Sequence, residues 1–146
     1  METDGFRGEA MIRIFIVDDH PVMRKVVRSL LEREPDLTVC GEAATAQAAL
    51  EQAEQSEPDL VLIDVSLPGM SGIELARELK ARHPNLPLAM FSGHNTESHV
   101  DQALQAGVSG YILKEQAIEL PLAIRQIMRG QHYISPEIGT PDQNNS

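Results

Sequence analysis

The chain has 146 residues, 42% of them hydrophobic, which suits one ordinary domain able to bury its own core. A single cysteine, Cys40, excludes an intramolecular disulfide, and a net charge of −10 with 3% aromatic residues and no tryptophan argues against direct nucleic-acid binding by this chain. No apolar run approaches the roughly 20 residues of a membrane span, and Met1 to Ala10, with Glu2, Asp4 and Glu9, lacks the apolar stretch of a secretory signal, so a cytoplasmic protein without membrane contact is expected.

Residues 1–11 read as a flexible N-terminal extension, 12–133 as the folded domain and 134–146 as a tail or linker stub. Within the domain five strand-like runs alternate with helix-like stretches, the pattern of parallel β/α units. Ile12 to Val17 is the first strand; Pro21 then opens a helix in which Val22, Val26, Val27, Leu30 and Leu31 recur at helical spacing. Leu37 to Gly41 is a shorter strand, followed by an N-cap at Thr45 and an Ala-rich helix. Leu60 to Ile63 is almost wholly apolar, as a strand covered on both faces should be, and runs into Asp64. After the Leu67-Pro68-Gly69 turn, Ser71 and Glu74 form a capping box for a helix carrying Ile73, Ala76 and Leu79 inward. Leu86 to Phe91 is the fourth strand, and Val100, Ala103 and Leu104 line a helix that Gly107 can end in a left-handed cap. Tyr111 to Leu113 is the fifth strand, and Leu120, Ile124, Ile127 and Met128 share a face of the last helix, with Pro121 in its first turn. Beyond Tyr133 the sequence holds polar turn formers without periodicity.

Open α/β sheets bind ligands beyond the carboxyl ends of their strands. There the first strand delivers Asp18-Asp19, the third Asp64, the fourth Ser92 and the fifth Lys114, while the second ends in Gly41-Glu42 with nothing comparable. In a 2-1-3-4-5 order the first and third strands are neighbours about 4.8 Å apart, so three carboxylates crowd together. A hard divalent cation relieves such repulsion with oxygen ligands, and Mg²⁺, which keeps places for water and phosphate oxygens, fits. Lys114 adds a compact positive charge and Ser92 a short donor, which makes the rim suited to phosphoryl transfer. Asp64, between the acid pair and the Lys114/Ser92 side, is the natural nucleophile, and transfer to a carboxylate needs no catalytic base.

Val17-Asp18-Asp19-His20-Pro21, Asp64-Val65-Ser66-Leu67-Pro68-Gly69-Met70-Ser71-Gly72, Ser92-Gly93 and Gly110-Tyr111-Ile112-Leu113-Lys114 resemble the motifs of response-regulator receiver domains, and DDHP with LPGMSG resembles the NarL/LuxR-type subgroup. The resemblance covers about Ile12 to Tyr133 and implies a flavodoxin-like (βα)5 three-layer sandwich with a parallel five-stranded sheet of order 2-1-3-4-5. It implies that Asp64 is the phosphoacceptor, that Asp19, Asp64 and the carbonyl of Ser66 hold Mg²⁺ with Asp18 acting through water, and that Lys114, Ser92 and Gly93 receive the phosphoryl group. It further implies that Ser92 and Tyr111 act as a switch, Tyr111 swinging inward once Ser92 moves to the phosphate, and that helix 4, strand 5 and helix 5 carry the output. The implied partners are a histidine kinase or phosphotransfer protein, with a second copy of the chain as a further candidate. The implied chemistry is self-phosphorylation and slow dephosphorylation rather than enzymatic turnover.

Three rival readings stand beside it. An Asp-nucleophile Mg²⁺-dependent phosphohydrolase of the haloacid-dehalogenase kind wants an Asp two residues after the nucleophile, where this chain has Ser66. A flavin binder of the same fold class is opposed by Asp18-Asp19, which repel a phosphate. The third reading is the truncated regulatory half of a DNA-binding transcription factor. His20, His83, His99 and His132 lack metal-ligand spacing and are expected in surface or capping roles, His94 is expected in an exposed loop, and Cys40 is expected as a small buried apolar residue.

Overall fold

The computed structural model describes residues 11–93, 97–136 and 138. The expected extension other than Met11, the loop residue His94 and the tail beyond residue 138 lie outside the described residues. Six parallel strands, β1 (Ile12–Val17), β2 (Leu37–Ala43), β3 (Leu60–Asp64), β4 (Leu88–Ser92), β5 (Gly110–Leu113) and β6 (Tyr133–Ile134), form one sheet of order β2-β1-β3-β4-β5-β6. Between them run α1 (Pro21–Glu32), α2 (Ala46–Ser56), α3 (Gly72–Arg82), α4 (Glu97–Gln105) and, after a 3₁₀ segment over Lys114–Glu119, α5 (Leu120–Met128).

Side chains alternate across each strand, so the sheet has two buried faces. Ile14, Ile16, Leu60, Leu62, Phe91 and Ile112 pack with Val27 and Leu31 of α1 and Ala123, Ile124 and Ile127 of α5. Phe15, Val17, Val61, Ile63, Met90 and Tyr111 pack with α2, α3 and α4 on the other side. Burying each of these large apolar side chains contributes roughly 1.5–3 kcal/mol, which is what holds the strand ends, and the polar residues on them, in a fixed rim.

The helix ends follow their local chemistry. Thr45 Oγ1 accepts from the Ala48 amide at 3.1 Å, and Ser71 and Glu74 make both bonds of a capping box. Gly107, at φ +100°, ends α4, with its amide bonded to the Leu104 carbonyl and that of Val108 to Ala103.

Three features depart from the sequence expectation. The sheet has a short sixth strand: the chain turns back after α5, and the Tyr133 and Ser135 amides donate to the carbonyls of Ser109 and Tyr111. Ser135 is buried and its hydroxyl accepts from the Leu113 amide at 3.0 Å, so a hydroxyl that looks like a turn former completes the β5 edge. The boundary expected after Tyr133 falls inside this strand. Val22 and Val26 face outward at 74% and 41% exposure, because they sit on the flank of α1 beside the stripe made by Val27 and Leu31. Cys40 is half-buried, for the β1–β2 register slips between Val39 and Gly41 and leaves Cys40 in the irregularity.

Candidate functional site

Strands β1, β3, β4 and β5 end at one rim and bring Asp18, Asp19, Asp64, Ser92 and Lys114 together. The Lys114 ammonium lies 3.2 Å from Asp64 Oδ2 and 3.2 Å from Asp18 Oδ2, bridging two carboxylates that are each only 2% exposed. Asp64 Oδ1 accepts from the Ser66 amide at 3.1 Å, which fixes the carboxylate at the start of the loop after β3. Asp19 stands at the opening, one-third exposed. Ser92 is fully buried at the end of β4, and Lys114 lies over the ring of Phe91 at 5.9 Å from its centroid.

Burial pushes the Asp64 carboxyl above its ordinary value, an effect the Ser66 amide and the Lys114 charge oppose and the nearby Asp18 charge reinforces. Burial likewise raises the Tyr111 hydroxyl, whose hydrogen bond to Ser92 pulls the other way. Tyr111 is wholly buried, so the ring already points into the protein. The donor set fits a hard divalent cation. Three carboxylates converge there against the Lys114 ammonium, and ligand atoms from Asp18, Asp19, His20 and Asp64 all lie within 4.8 Å of one another.

Residues 14–125 match the sequence profile of the response regulator receiver domain. The chain belongs to that family. The receiver is 36% identical over 132 residues to the transcriptional regulatory protein DegU of Brevibacillus brevis, covering 90% of this chain and 56% of DegU. It is 38% identical over 123 residues to the nitrate/nitrite response regulator NarL of Escherichia coli K12, covering 84% of this chain and 57% of NarL. It therefore spans slightly more than half the length of these curated relatives. A two-component response regulator of the LuxR family from Aurantimonas sp. SI85-9A1 superposes with a TM-score of 0.88 at 35% identity, covering 92% of this chain and 97% of that one. Receivers are phosphorylatable modules of two-component systems, and membership sets aside the phosphohydrolase and flavin-binding alternatives. Among the described residues no helix is long and apolar enough to cross a membrane.

Two residues of the receiver's rim escape the sequence reading. His20, expected at the surface or as a cap, is 60% exposed, yet its ring Nδ1 lies 2.9 Å from Asp18 Oδ1. Its side chain makes no capping bond to α1. Arg24, one turn further along α1, donates to the Asp18 carbonyl and pairs with Glu42 of β2 at 3.1 Å, holding the acid turn against the sheet. The signal for His20 was its place beside the acid pair; Arg24 and Glu42 are 18 residues apart and gave none.

Gly72 opens α3 against the end of β3, where a Cβ would stand 2.1 Å from the Asp64 carbonyl oxygen and 2.9 Å from the Val65 Cα. Both obstacles are backbone, so room can come only by moving the Asp64 turn. Gly72→Ala is expected to lower stability by about 2–3 kcal/mol, read by urea unfolding. A displaced Asp64 turn should also slow labelling by acetyl phosphate by at least roughly tenfold. Normal stability and labelling in that variant would show that the turn yields freely.

Proposed function

We propose that this receiver accepts a phosphoryl group on Asp64 from a histidine kinase or phosphotransfer protein and passes the signal through a changed surface. The observation that carries the reading is the Lys114 ammonium held 3.2 Å from both Asp64 Oδ2 and Asp18 Oδ2 at the strand ends. An Asp64 oxygen forms the new P–O bond as phosphorus parts from the donor's imidazole nitrogen, or from the acetate oxygen of acetyl phosphate. The leaving group takes the electron pair, so no residue need carry a proton from the nucleophile. Lys114 neutralises charge on the transferred oxygens and Ser92 offers its hydroxyl. Asp19, Asp64 and the Ser66 carbonyl would hold Mg²⁺, with Asp18 acting through water; the bound ion supplies positive charge to the phosphoryl oxygens. Gly93 is exposed and a Cβ there would meet nothing within 4 Å, so its smallness serves the open approach to Asp64 rather than packing.

Ser92 is proposed to be shared between the Tyr111 hydroxyl and the phosphoryl group, so that phosphorylation favours one arrangement of the α4-β5-α5 face. The inward Tyr111 and its bond to Ser92 support that role. Outward-facing Val22 and Val26 on α1, beside the mouth, give a donor protein an apolar foothold. The setting is proposed to be the cytoplasm and the downstream output transcriptional, in keeping with the name of DegU.

The test is incubation of the chain with acetyl phosphate with and without Mg²⁺, read by intact mass, by mapping of the modified peptide and by oligomer size. One phosphoryl group per chain, on Asp64 and only with Mg²⁺, is the expected result. Label on another residue, or label indifferent to Mg²⁺, defeats the reading.

A further inference from the structure

We propose that β6 is part of the receiver's switch: its pairing with β5, closed by Ser135, holds Tyr111 inward, so that attachment of this strand and phosphorylation of Asp64 favour each other. The proposal rests on the reading of Asp64 as phosphoacceptor and of Ser92 and Tyr111 as the switch, and it adds a third element to them.

The strand meets β5 at residues that border the site. The Ser135 amide donates to the Tyr111 carbonyl at 3.0 Å, and the Ser135 hydroxyl accepts at 3.0 Å from the amide of Leu113, the residue before Lys114. Tyr133 donates its amide to the Ser109 carbonyl at 3.0 Å and its hydroxyl to Glu119 at 2.7 Å, so the 3₁₀ segment that begins at Lys114 is tied in as well. Ile134 pairs in register with Tyr111, and Ile134 and Ile138 pack against the cluster that holds the Tyr111 ring.

Strand order gives these contacts their direction. β5 lies between β4, which carries Ser92, and β6. A Tyr111 ring that leaves Ser92 for the outer edge of β5 therefore moves toward Ile134. With β6 attached that space is filled, and the ring stays inward, hydrogen-bonded to Ser92. A phosphoryl group that favours the inward ring must in turn favour attached β6, because coupling between two equilibria is reciprocal. A two-residue strand at the end of a sheet opens far more readily than the strands inside it, so the coupling has a low-stability element to act on. A strand kept only to cover the β5 edge would be indifferent to phosphate.

Two measurements test this with beryllofluoride, which stands in for a phosphoryl group on an aspartate. In the unmutated chain, hydrogen exchange of the Leu113, Tyr133 and Ser135 amides should slow by at least about fivefold on saturation with beryllofluoride and Mg²⁺. In Ser135→Ala, beryllofluoride affinity should fall by about the same factor while Mg²⁺ affinity stays unchanged. Exchange that is unchanged or faster at saturation overturns the proposal, and this measurement decides even where the variant fails to fold. Unchanged beryllofluoride affinity in a folded Ser135→Ala whose β6 amides exchange faster overturns it too. In either case label on Asp64 in the unmutated chain leaves the receiver reading standing. Absence of both label and beryllofluoride binding in that chain sinks both.

Discussion

Asp64→Asn is expected to take up no phosphoryl group from acetyl phosphate in Mg²⁺, and yet to melt above the unmutated chain at neutral pH without metal. The first half follows from chemistry: the amide is neutral, a poor nucleophile and a weak ligand for a hard cation. The second follows from burial. Asp64 is 2% exposed and its carboxyl is raised above the ordinary 3.8 by desolvation, against the opposing pull of the Ser66 amide and Lys114. A carboxyl whose folded value exceeds its unfolded value keeps its proton longer in the fold, so the folded state binds more protons across that window. Its contribution to stability is therefore greatest at low pH and declines as pH rises from about the unfolded value through the folded one. Asn removes that decline. Thermal melts of both proteins against pH should converge in acid and separate toward neutrality, with the variant above. Full phosphoryl incorporation in the variant would falsify the assignment of Asp64. Parallel melting curves would show that its carboxylate is fully compensated in the fold.

The rim was legible because parallel α/β units put chemistry at strand ends, and each of Asp18, Asp19, Asp64, Ser92 and Lys114 directly ends or follows an apolar run. The two buried faces were legible for the same reason, since Leu60 to Ile63 is apolar at every position and only a strand covered on both sides tolerates that. What stayed hidden depends on groups that carry no pattern. Ser135 joins the sheet through its amide and hydroxyl, so β6 has no apolar run to announce it. Gly72 reads as an ordinary turn residue, and its closeness to the Asp64 carbonyl exists only once β3 and α3 are placed. Val22 and Val26 share a helical repeat with Leu30, yet periodicity alone does not say which of two adjacent stripes faces the sheet. His20 has no metal-ligand spacing to another histidine, whereas its partners in the fold are carboxylates, one of them 44 residues away.

Lys114→Ala should separate the amine's structural part from its chemical one, and Mg²⁺ is the lever. The amine bridges two nearly inaccessible carboxylates, and breaking a buried ion pair from one side costs about 3 kcal/mol or more because the charge left behind is uncompensated. The metal-free variant is therefore expected to lose about that much stability in urea. A divalent cation supplies the missing positive charge, so Mg²⁺ should raise the variant's stability by more than it raises the unmutated chain's; at 100 times the dissociation constant, binding alone stabilises by about 2.7 kcal/mol. Mg²⁺ affinity should rise as well, since the amine no longer competes for Asp18 and Asp64. Labelling by acetyl phosphate should nonetheless fall by roughly a hundredfold, because Mg²⁺ cannot stand in for the charge that Lys114 brings from the other side of the transferred group. The competing account is that Lys114 is kept for its packing over Phe91. On that account the stability loss is the same with and without Mg²⁺, and labelling is little changed.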